Sequence, residues 1–231
     1  MKLLTKSLAI LLLAFMVACQ QKANEENTES ESEKTEVTED STEKSTTSGV
    51  LNANLASEEE LASTGLSEAL VSEITAKRPF VDMMDLHSIL SAEMDSAGLE
   101  ELYGKLFVPF NLNTTKEANF KIIPGVGNRM AHEFEEYRPY LKVAQFRKEI
   151  GKYVDELEVA RLERYVFVPV ELNTASEEDI LALPGVGERM AHEFEEYRPY
   201  ENMEQFRKEI GKYVDDKELS RLERFVYLKD K

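Results

Sequence analysis

The chain of 231 residues has one cysteine, no tryptophan and three histidines. A lone cysteine excludes an internal disulfide framework and any cysteine-rich zinc site. Basic residues are scarce: 28 Lys and Arg face 45 Asp and Glu, a formal net charge of −17. That balance argues against a protein that holds nucleic acid by bulk positive charge. No Ser, Cys or carboxylate constellation pairs a nucleophile with a base, so the sequence makes no case for an enzyme and calls for no cofactor. His132-Glu133-Phe134-Glu135-Glu136 lacks the second His of the H-E-x-x-H zinc motif, so no metal is expected and the segment reads as a solvent-facing helix. The remainder, 42% hydrophobic and 32% charged, fits globular matter plus a disordered part.

The longest apolar run, Leu8 to Ala18, is too short to span a bilayer comfortably, and Lys2 and Lys6 precede it. Residues 1–18 therefore read as a signal peptide. Met16-Val17-Ala18-Cys19 resembles the lipobox of bacterial lipoproteins, with Met where that motif usually has Leu. The resemblance implies that Cys19 becomes a lipidated N-terminus and anchors an exported chain to a bacterial membrane, on its periplasmic or outer face. Two or three acyl chains anchor stably where one does not, at about 0.8 kcal/mol per buried methylene. Residues 19–50 are then read as a disordered acidic linker. They are nearly all Gln, Asn, Glu, Lys, Ser and Thr, and cannot bury enough surface to offset chain entropy. About 30 such residues span roughly 30 Å.

Beyond the linker the chain repeats itself. Pro124-Gly125-Val126-Gly127 returns as Pro184-Gly185-Val186-Gly187, Arg129 to Tyr140 returns unchanged as Arg189 to Tyr200, and Gln145 to Asp155 as Gln205 to Asp215. The period is 60 residues. A weaker copy precedes them, marked by Arg78-Pro79-Phe80, Val108-Pro109 and Asn54-Leu55-Ala56-Ser57. The units are placed at 51–110, 111–170 and 171–231.

Each unit is expected to be all-α. Thr114 with Glu117, and Thr174 with Glu177, have capping-box spacing. A short helix from Glu177 to Leu183, a tight Pro-Gly-Val-Gly turn, and a helix from Gly187 to Tyr197 with Ala191, Phe194 and Tyr197 on its apolar face should come next. Pro199 stops that helix. Met203, Phe206 and Ile210 open another, and Leu219 to Tyr227 is read as the last. A 60-residue unit buries little by itself, so neighbours should stack.

Leu172-Asn173-Thr174-Ala175-Ser176, Leu183-Pro184-Gly185-Val186-Gly187 and Ala191-x-x-Phe194-x-x-Tyr197-Arg198 resemble the helix-hairpin-helix domain of ComEA-type competence proteins. The resemblance covers units three and two, and unit one weakly. It implies tandem helix-hairpin-helix repeats and an envelope receptor that binds double-stranded DNA by its backbone, without sequence preference, for uptake or retention. The residues that match the binding hairpin are Gly125, Val126, Gly127, Gly185, Val186 and Gly187. Arg129 and Arg189 match the cation two residues further on. Two glycines let backbone approach a phosphate, and the unpaired amides of the next helix converge on it. Such contacts position nucleic acid and read no sequence.

Charge divides the units. Net side-chain charge is −8 over 51–110, +1 over 111–170 and −6 over 171–231. Cations drive backbone affinity, so unit two is the strongest candidate and unit three the weaker. Unit one has Thr64-Gly65-Leu66-Ser67, without the second Gly, and Ala69 in place of the Arg, and reads as structural. The alternative is a scaffold of the cell envelope that binds a protein and no DNA, its hairpins serving as plain helix–helix turns. A basic rim of Lys121, Arg129 and Arg189 would favour DNA; an apolar patch would favour protein.

Overall fold

In the computed structural model of the protein, residues 49–229 are described. Residues 1–18, read above as a signal peptide, Cys19, expected to be lipidated, and nearly all of the expected linker lie outside the described residues. No helix among the described residues is long and apolar enough to cross a membrane.

The same order of elements occurs three times. The first unit has β1 (Leu51–Asn52), α1 (Glu58–Ser63), α2 (Glu68–Lys77), α3 (Met83–Leu90), α4 (Ser96–Tyr103) and β2 (Leu106–Phe107). The second has β3 (Phe110–Asn111), α5 (Glu117–Phe120), α6 (Asn128–Glu136), α7 (Val143–Ile150), α8 (Glu156–Glu163) and β4 (Val166–Phe167). The third has β5 (Val170–Glu171), α9 (Glu177–Leu181), α10 (Glu188–Glu196), α11 (Met203–Ile210), α12 (Asp216–Glu223) and β6 (Val226–Tyr227). The architecture is helical, as the periodicity indicates, and the short strands are an addition to it. Each unit's first strand pairs in parallel with its last, Leu51 opposite Leu106, Phe110 opposite Val166 and Val170 opposite Val226.

Those strands correct the expected final helix. It runs Asp216–Glu223, and Val226-Tyr227 leaves it to pair with Val170-Glu171. Branched and aromatic side chains fit a half-buried ladder, and tertiary pairing overrides the helical pattern. The capping assignments change for the same reason. Thr174 lies in the turn after β5, where its hydroxyl donates to the Glu171 carboxylate at 2.6 Å, and Ser176 caps α9 instead. In the second unit Lys116 stands at the cap of α5 and supplies no side-chain bond. The true capping boxes are both in the first unit: Ser57 Oγ accepts from the Glu60 amide while the Glu60 carboxylate accepts from the Ser57 amide, and Asp82 and Asp85 exchange the same pair of bonds at the start of α3.

A recurrent staple closes every unit. Asn113 bridges Tyr140 through both backbone groups, donating to its carbonyl at 2.8 Å and accepting from its amide at 2.7 Å. Asn54 does so with Phe80 and Asn173 with Tyr200. The arginine of each Arg-Pro-aromatic triplet, whose peptide bond is cis, donates to two carbonyls of the loop after the first strand. Arg78 reaches Ala53 and Ala56, Arg138 reaches Leu112 and Thr115, and Arg198 reaches Leu172 and Ala175. Buried carbonyls left without a donor cost about 1–3 kcal/mol each, so these side chains hold the ends of the unit together.

Units one and two share a continuous core, and unit three has its own. Edge-to-face contacts run from Tyr103 through Phe107, Phe110, Phe120 and Phe134 to Phe146 without a break. The third unit is fastened to the first by Arg224, which donates to the carbonyls of Phe80 at 3.0 Å and Pro109 at 3.2 Å. Arg224 lies over the Phe167 and Phe225 rings, which pack edge to face, and burial lowers its pKa to about 10.

Candidate nucleic-acid interface

The hairpin turns are set by their glycines. Gly125 and Gly185 adopt φ of +79° and +70°, the left-handed region that side chains resist. Between the glycines, Val126 and Val186 point inward and are buried. They are anchors, and their amides already donate to the carbonyls of Ile123 and Leu183, so neither offers a donor to a ligand. Gly127 and Gly187 are extended and stand at the N-caps of α6 and α10. Neither helix receives a side-chain cap bond, and a Cβ at either glycine would meet nothing within 4 Å. The first turn of each helix is therefore approached by open space, where several amides and the positive end of the dipole converge.

Unit one handles the same position differently. Gly65 keeps the left-handed turn at φ +98°, but Ser67 stands where the later units have Gly127 and Gly187. Its hydroxyl accepts from the Leu70 amide at 3.3 Å and occupies the place an anion would take. This cap, together with Ala69 in place of the Arg, leaves the first hairpin without an anion cradle.

Arg129 and Arg189 are exposed on the first turns of α6 and α10, beside their hairpins. Arg129 lies 5.5 Å over the Tyr153 ring, which preorganises its guanidinium. Lys121 is exposed next to the second hairpin and makes no ion pair among the described residues. At the matching position the third unit has the exposed Leu181, and Glu188 replaces Asn128 in the first turn. The basic rim is thus fuller in unit two. Lys152 and Lys212 are each held by a glutamate, Glu149 and Glu209, and lie over the Tyr137 and Tyr197 rings. They are half neutralised and add little to the rim. Those tyrosines are half-buried, and each bonds a second phenol, Tyr153 or Tyr213.

Two arginines brace the hairpins from below, and sequence reasoning missed both. Arg221 is 2% exposed, forms a two-point pair with Glu218, and donates to the carbonyls of Pro184 and Gly185. Unit one's Leu55 packs over that turn, so close that a Cβ on Gly185 would collide with it. The carbonyl side of the third hairpin is therefore a protein contact, and its amide side is open. Arg161 pairs with Glu158, and its Nη2 would stand 3.3 Å from a Cβ placed on Gly125. The signal was present, because Arg161 and Arg221 share the 60-residue offset of the glycines.

His132 is exposed and lies between carboxylates, 3.3 Å from Glu117 and 3.7 Å from Glu136. The hydrogen bond to Glu117 raises its pKa above the ordinary value. Among the described residues no cluster of three or more His, Cys, Asp or Glu side chains could hold a metal ion.

In the third unit an uncapped helix follows a glycine hairpin beside an exposed arginine, and this stretch matches a known motif. Residues 166–227 match the helix-hairpin-helix motif. The match spans the third unit from the last strand of unit two to β6. The second unit repeats the helix-hairpin-helix residues of that stretch at the hairpin and through α6, and folds in the same way. The motif is common in nucleic-acid-binding proteins, and the match is consistent with DNA binding. No curated protein and no solved structure matches the chain.

Proposed function

We propose that the protein is a non-enzymatic DNA-backbone binder of the bacterial envelope. In this reading residues 1–18 direct export, Cys19 carries the lipid anchor, and the acidic linker holds the folded part off the membrane. Units two and three contact DNA phosphates through the amides just after Gly127 and Gly187, with Arg129 and Arg189 alongside. Binding is weak and independent of sequence, and it serves uptake or retention of DNA. The observation that carries the proposal is the pair of uncapped helix starts at Gly127 and Gly187, each open to solvent and each beside an exposed arginine.

Labelled duplex DNA titrated with the protein at low and at physiological salt tests it by fluorescence anisotropy. Binding should weaken steeply with salt and be equal for unrelated sequences. Replacing Gly127 and Gly187 together by phenylalanine should abolish binding while circular dichroism stays unchanged, since both positions are extended and uncrowded. Undiminished binding by that folded double variant would sink the hairpin mechanism.

Two observations favour the rival scaffold reading. The third hairpin already serves protein contact through Leu55 and Arg221, and the chain is acidic. On that reading no duplex binds even at low salt, and an envelope protein is the partner.

A further inference from the structure

The second hairpin opens into a cleft that the sequence does not announce. Its volume is about 450 Å³, and the first unit supplies one wall. Tyr103, His87, Leu99 and Glu100 of α3 and α4 face Lys121 and the Ile122–Gly127 turn. The Tyr103 hydroxyl and His87 Nδ1 share a 2.6 Å hydrogen bond that holds the imidazole in place. Burial pushes the Tyr103 pKa up to about 12, so this phenol stays neutral.

The lining differs in kind from the matching junction between units two and three. Arg147 and Glu163 stand sixty residues after His87 and Tyr103. There they join in a two-point ion pair, and Arg147 also reaches Glu178 of the third unit. At the first junction those ions are absent. Instead Lys121 and Glu100 line one cleft, both exposed, and neither forms an ion pair with the other or with any described residue. Opposite charges left unpaired in one partly apolar cavity suit a ligand that has an anionic end and a hydrogen-bond-donating end.

We propose that this cleft takes a single phosphorylated nucleoside, either a free mononucleotide or the phosphorylated end of a DNA strand. The inference rests on the hairpin reading above and narrows its ligand at unit two. Lys121 and the amides of Gly125 and Gly127, the turn amides not already bonded within the fold, receive the phosphate. Leu99 and Ile122 cover the nucleoside. Glu100 accepts from the exocyclic amine of the base, the pairing that carboxylates make with cytosine. The volume matches one small ligand and has no room for a duplex.

Isothermal titration of the whole chain with deoxycytidine 5′-monophosphate, a 5′-phosphorylated oligodeoxycytidine, its 5′-hydroxyl form and inorganic phosphate tests this. One equivalent of a phosphorylated nucleoside should bind at least tenfold more tightly than inorganic phosphate, on the scale of one good charged contact. Lys121→Ala and Glu100→Gln should each weaken it about fivefold with the melting temperature unchanged. Equal binding of mononucleotide and strand end assigns a free nucleotide; binding of the phosphorylated strand alone assigns a DNA terminus. Inorganic phosphate binding as tightly, or either variant binding like the parent, overturns the proposal. Absence of nucleotide binding while duplex binding persists overturns the cleft alone. Duplex binding that survives the Gly127 and Gly187 substitutions overturns the hairpin reading instead.

Discussion

The first unit and the two later ones share a backbone, and the start of the hairpin helix sets them apart. All three have a left-handed glycine, the Asn bridge and the Arg-cis-Pro-aromatic staple. Only the first fills the start of its hairpin helix with its own hydroxyl, Ser67. Gly127 and Gly187 leave that place open in the others. The fold therefore does not need the open helix start, since unit one does without it. What the later units retain at that position is access, at the cost of a cap worth only a few tenths of a kcal/mol relative to glycine.

The largest expected effect breaks what the units have in common. Arg198→Ala strips donors from the carbonyls of Leu172 and Ala175 and should cost about 2–4 kcal/mol. Unit three, with its separate core, should then melt before units one and two, visible as a split transition in calorimetry. A single cooperative transition would show that Arg224 and Leu55 couple the third unit more strongly than the core division suggests.

A swap sharpens the contrast itself. Gly127→Ser with Gly187→Ser imports the first unit's cap into spaces that accept a Cβ freely. Stability should hold or rise by a few tenths of a kcal/mol, while duplex affinity falls at least tenfold, about 1.4 kcal/mol. Thermal melting and anisotropy on the same sample read both quantities. Retained affinity would place the phosphate contact elsewhere.

The smallest effect concerns a difference at the second hairpin's helix. His132 gains a bond to Glu117, so its folded pKa lies above its unfolded value. That interaction is fully present below the unfolded value and fades as pH rises through the folded one. An NMR titration should place the His132 midpoint above the ordinary imidazole value of about 6.5. Glu117→Gln should lower it.

Much of this was legible in the chain. Recurrence of Pro-Gly-Val-Gly and of Arg-Pro-Tyr exposed the period, and helical spacing of Phe134 and Phe194 marked core faces that are fully buried. Other features were not. Val226-Tyr227 carries a helical pattern up to the residue where a partner strand takes it. Thr174 has the spacing of a cap and serves a turn. Val126 and Val186 matched a binding motif by position, yet their side chains fill the core. Local pattern and final role part where a distant segment offers a better partner.

The sequence by itself determined the repeat, the helical character, the left-handed turns at Gly125 and Gly185 and the place of the arginines beside them. These depend on steric and periodic rules that act within a few residues. Only the tertiary structure decided that Arg221 and Leu55 close one side of the third hairpin, that Val226-Tyr227 joins a strand pair, and that unit one walls a cleft over the second hairpin. Those outcomes depend on which surfaces meet when units 60 residues apart pack together, and no local rule contains that information.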